Sequence, residues 1–97
     1  MESKSPADRQ ADLVDVQLLD VLAQVEAVLR HGREIQRDAL RVRGVPHDLN
    51  AEQRRAAGTA LRRRAEQMDK DCDVLSGIVR DLLAAAQQLE TLLGEVV

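Results

Sequence analysis

RVRGVPHDLN, residues 41–50, is the one stretch of this 97-residue chain that interrupts a helical pattern. Gly44 suits the left-handed position that ends a helix, and Pro46 blocks an immediate restart. Asn50 is the next capping residue, and Gln53 follows at capping-box spacing. The stretch predicts a helix over about 6–43, a turn at 44–50 and a helix over about 51–96.

Upstream, Ser5-Pro6-Ala7-Asp8 is a helix start. Ser5 caps free backbone N–H groups, Pro6 takes the first helical position, and Asp8 completes a variant of the capping box. From there small and apolar residues recur in a 4-3 rhythm: Ala7, Ala11, Val14, Leu18, Val21, Val25, Val28, Gly32, Ile35, Ala39 and Val42. After the turn the rhythm resumes with Gly58, Leu61, Ala65, Met68, Cys72, Leu75, Val79, Leu82, Ala86, Leu89, Leu93 and Val96. Heptad spacing of this kind is the signature of helices packed side by side. Folding at 44–49 runs the two seams antiparallel, with Val28 opposite Met68 and Gly32 opposite Ala65. Gly32 and Gly58 fall in phase with the heptad, which predicts bends or close approaches there rather than breaks.

The expected fold class is therefore all-α: a long antiparallel, coiled-coil-like hairpin. Residues 1–5 are expected to be a flexible N-terminus, and 6–97 a single hairpin domain. One partner helix cannot cover every apolar position. Leu19, Leu22, Leu29, Leu75, Ile78, Leu82, Leu83, Leu89, Leu92 and Leu93 are the candidate partner interface. Association with another hairpin, a second copy or a different protein, would complete a four-helix bundle.

Composition narrows the function classes. The chain has no Phe, Tyr or Trp. That disfavours a compact mixed fold, base stacking and a ring-lined pocket. Cys72 is the single cysteine, so no disulfide closes within the chain. With a polar start and no long apolar run, this favours a reducing, intracellular and cytoplasmic setting. Asp69, Asp71 and Asp73 alternate on a helix and cannot make a calcium loop. His31, His47 and Cys72 are not at metal-ligand spacing. His31 reads as a surface histidine, and Cys72 and Met68 as core residues. No cofactor, metal or catalytic constellation is expected, and the chain is read as not an enzyme.

Charge is unevenly placed. Residues 30–64 carry ten arginines against four acids, while the stretches on either side are acidic and the whole chain is −3. Arg41, Arg43, Arg54, Arg55, Arg62, Arg63 and Arg64 make a candidate anion-binding tip. Nucleic acid or an anionic surface is the alternative partner, although binding of that kind usually comes with a net positive domain. The plainer reading of Arg62–Arg64 is a solvated face partly paired to Glu34 and Asp38.

In length and two-helix layout the chain resembles the small secreted WXG100 proteins. Where that family has Trp-x-Gly, this chain has Val42-Arg43-Gly44, and the family's tyrosine-based export signal has no counterpart. The resemblance is architectural and implies a third possibility, a secreted hairpin or secretion chaperone. The leading expectation is a protein–protein interaction module, self-associating or serving as an adaptor subunit of a larger coiled-coil assembly.

Overall fold

A computed structural model describes residues 4–95. Helix α1 spans Pro6–Val42 and helix α2 spans Ala51–Glu95, with no strand among the described residues. The fold is all-α, a helical hairpin. Both helices run unbroken through Gly32 and Gly58. The C-terminal Val96 of the expected seam, and most of the expected flexible N-terminus, lie outside the described residues.

The helix ends follow from local hydrogen bonding. The Asp8 N–H donates to Ser5 Oγ at 3.1 Å. Ser5 thereby satisfies one of the donors that the first turn leaves free. At the other end of α1, Gly44 takes φ +82°. The Gly44 N–H donates to Arg41 O and the Val45 N–H to Leu40 O, both at 3.0 Å. These are the paired bonds of a Schellman stop, which needs a left-handed residue and so favours glycine. Arg54 Nε donates to Val42 O at 2.9 Å and satisfies another terminal carbonyl. The capping box of α2 is reciprocal: Gln53 N–H to Asn50 Oδ1 at 2.7 Å, and Asn50 N–H to Gln53 Oε1 at 2.9 Å.

The chain divides into two compact units. The terminal unit comprises 1–24 and 74–97, and the turn unit comprises 25–73. In the turn unit the two helices run antiparallel, since Val42, Asp38 and His31 contact Arg54, Arg64 and Asp71 in turn. In the terminal unit the order is likewise reversed: Gln10 meets Ala85, while Ser5–Ala7 share a small cleft with Leu92 and Glu95.

The core is thin. Among the described residues Ala57, Ala85 and Asp38 are buried, and no large side chain is fully so. The half-buried strips are nevertheless regular. On α2 they follow 61, 64, 68, 71, 75, 78, 82, 85, 89 and 92. This corrects the expected seam. The lines through Val14, Val21, Val28 and Ile35, and through Leu61, Met68, Leu75, Leu82 and Leu89, lie inside as expected. The second line of α2 is displaced by one residue. Arg64, Asp71, Ile78, Ala85 and Leu92 turn inward, and Ala65, Cys72, Val79, Ala86 and Leu93 are exposed. On α1 Gln10, Gln17, Gln24, His31 and Asp38 turn inward beside Ala11, Val25, Gly32 and Ala39, which are half-buried as expected, while Leu18 is exposed.

Cys72 is therefore not a core residue, and His31 is half-buried rather than a surface histidine. The physical reason lies in the polar side chains. On α1 both strips are at least half-buried, Leu18 excepted, and on α2 the inward strip brings Asp71 to His31 and Arg64 to Asp38.

Candidate interaction surface

The turn unit is held by polar contacts across its two helices. His31 Nε2 lies 2.7 Å from Asp71 Oδ2, with both side chains about one-fifth exposed. Arg64 sits between two carboxylates, 3.3 Å from Glu34 and 3.3 Å from Asp38. Asp38 is 4% exposed, so its charge is nearly desolvated and depends on Arg64. Its Oδ2 is within ion-pair reach of Arg64 Nε but is not aligned for a hydrogen bond. Beside this pair is an open cleft of about 370 Å³, lined by Asp38, Arg41, Leu49, Gln53, Ala56, Ala57, Ala60 and Arg64.

Three of the seven tip arginines are engaged within the chain. Arg54 caps α1, Arg64 bridges to α1, and Arg62 pairs with Glu66 one turn away at 2.6 Å. Arg41, Arg43, Arg55 and Arg63 are exposed and make no ion pair among the described residues. The pairing of Arg64 to Glu34 and Asp38 matches the plainer sequence reading.

The terminal unit has a different surface. Leu13, Val16, Leu18, Leu19, Leu22, Val74, Val79, Leu83 and Leu93 are exposed there, with Leu19 at 66%. The turn unit exposes Leu29, Leu40, Val42 and Val45. Of the ten candidate interface residues, Leu19, Leu22, Leu29, Leu83 and Leu93 are exposed. Leu75, Ile78, Leu82, Leu89 and Leu92 are half-buried along the inner strip.

The exposed residues of the terminal unit are not scattered. Leu18 follows the inward Gln17, and Val79 and Leu93 follow the inward Ile78 and Leu92. In an antiparallel pair of right-handed helices, the flanks one residue after the inner strip lie on the same side of both helices. Leu18, Leu22, Val79, Leu83 and Leu93 therefore share one side of the terminal unit. Leu13, Val16 and Val74 flank the strip on the other side. The signal missed by reading apolar residues alone was the polar heptad Gln10, Gln17, Gln24, His31 and Asp38.

Charge separates the units as well. The terminal unit has three basic residues against eight acidic ones, and the turn unit eleven against nine. No helix among the described residues is long and apolar enough to cross a membrane. Set against protein-family models, curated proteins and solved structures, the chain matches none.

Proposed function

We propose that this chain is a non-enzymatic interaction module that works by helix–helix contact through the terminal unit. The observation that carries the reading is the one-sided cluster of Leu18, Leu22, Val79, Leu83 and Leu93, exposed on helices whose ends are otherwise well capped. Apolar area left in water forfeits about 25 cal/mol per Å², and covering it with another apolar helix face recovers that stabilisation. Clustered exposed apolar residues of this kind mark interaction sites. Completion of a four-helix bundle by a second hairpin is the arrangement that would cover them.

Replacing Leu18, Leu22, Leu83 and Leu93 with Ser tests the reading. Circular dichroism should show that helicity is kept, while light scattering coupled to gel filtration should show loss of the assembly formed by the wild type, alone or with a co-purifying protein. If the substituted and wild-type chains behave alike in both respects, the terminal unit is not a contact surface.

A second reading rests on Arg41, Arg43, Arg55 and Arg63, whose charges are unpaired among the described residues. They would meet an anionic partner, nucleic acid or an acidic surface. Binding of that kind weakens steeply and linearly on a log–log plot against salt.

A further inference from the structure

The apolar side of the terminal unit is edged by acids alone. On α1, Asp15 precedes Leu18 by three residues and Leu22 by seven, and Asp8 lies one further heptad back. On α2, Glu90 follows Leu83 by seven residues and precedes Leu93 by three. Residues three, four or seven apart share a helix face, so these carboxylates stand beside the leucines. All three acids are exposed, and none makes an ion pair among the described residues.

The bases of the unit lie elsewhere. Lys4 precedes α1 and is paired with Asp12. Arg9 falls one heptad before Val16, on the opposite flank, and donates to Lys4 O at 3.2 and 3.3 Å. Arg80 falls on the outermost line of α2, two residues after the inward Ile78 and two before the inward Leu82.

The side also has a shallow place. Gln10 Nε2 donates to Ala85 O at 3.0 Å across the helices. Ala11 and Ala86 are each the next residue along, so they stand level on this flank with only a methyl group apiece. Leu18 and Val79 lie one heptad from them. A large apolar side chain laid over the two alanines would pack beside Leu18 and Val79, large against small.

Charge decides what can lie there. A second copy presenting the same side would bring Asp8, Asp15 and Glu90 against the same three acids, with no base to answer them. Like charges across an interface select against a partner, and opposite charges select for one. We propose that this side of the terminal unit takes an amphipathic helix of another protein, apolar on one face and edged by lysine or arginine. The apolar face supplies the burial, and the basic edges meet Asp8, Asp15 and Glu90. The proposal rests on the interaction-module reading and specifies its partner.

Isothermal titration calorimetry on the whole chain tests it with two synthetic helix-forming peptides. Each has about 18 residues, enough at 1.5 Å per residue to lie along residues 8–22. Both carry leucine on one face; the edges are lysine in one and glutamate in the other. The lysine-edged peptide should bind at least about tenfold more tightly than the glutamate-edged one. Asp15→Asn with Glu90→Gln should weaken the lysine-edged peptide about tenfold. Asp20→Asn with Asp81→Asn makes the same change in net charge on the flank of Leu13 and Val74, one heptad away, and should leave binding unchanged.

Equal losses in the two double variants would reduce the effect to net charge and overturn the proposal. So would a glutamate-edged peptide that binds as well as the lysine-edged one, or a chain that pairs with itself through this side and takes neither peptide. Each of these outcomes leaves the interaction-module reading standing. That reading falls only when the Leu→Ser variant keeps the assembly of the wild type.

Discussion

The turn unit and the terminal unit use the same heptad framework for opposite ends. In the turn unit the inner strip is polar where it can be paired: His31 with Asp71, and Asp38 with Arg64, which also reaches Glu34. In the terminal unit the inner strip of α2 is Leu75, Ile78, Leu82, Ala85, Leu89 and Leu92, and apolar residues remain on the outside as well. The turn unit thus turns paired polar residues inward, while the terminal unit turns apolar residues inward and keeps further leucines on one outer side. A seam chosen by apolarity alone would have buried Leu18, Val79 and Leu93 and left less surface for a partner.

The contrast can be broken most severely at Arg64. Arg64→Met removes the cation beside the 4%-exposed Asp38 and should cost about 3 kcal/mol in urea unfolding. Adding Asp38→Leu in the same chain should recover most of that loss, because the uncompensated buried charge is then gone. A single Arg64→Met variant as stable as the wild type would show that the turn unit is not clamped by this pair.

In the terminal unit the corresponding loss comes from methylenes rather than charge. Leu82→Ala should cost about 2 kcal/mol, the low end for a leucine in a core, because Leu82 is only half-buried. That loss should be unaffected by salt, in contrast to the Arg64 variant. The smallest effect is expected at the turn. Gly44→Ala forces a Cβ onto a residue at φ +82° and should cost about 1 kcal/mol, read as a lower urea midpoint at unchanged slope.

Much of this fold was legible in the sequence. Ser5 and Asp8, Gly44, and Asn50 with Gln53 mark helix ends by local chemistry that needs no tertiary context, and the helices begin and stop within about a residue of those marks. The lines through Val21 and Leu82 were legible because each carries an apolar residue in every heptad. On α1 the expected line through Ala11, Val25, Gly32 and Ala39 is half-buried, Leu18 excepted. What apolarity did not reveal is the further inward line Gln10, Gln17, Gln24, His31 and Asp38, whose last two members meet Asp71 and Arg64, one heptad apart on α2. The candidate interface was legible in outline only, because half of its leucines serve the inner strip.

The apolar side of the terminal unit is proposed to be completed by association, with a basic-edged helix in particular. Stability should then depend on the concentration of such a helix, as it does whenever binding favours the folded state. Scanning calorimetry of the chain across a hundredfold titration with the lysine-edged peptide tests this most directly. The midpoint should rise steadily with peptide concentration for the wild type and stay constant for the chain with Leu18, Leu22, Leu83 and Leu93 replaced by Ser. A wild-type midpoint that is independent of peptide concentration, or a Ser variant that shows the same rise, would contradict it.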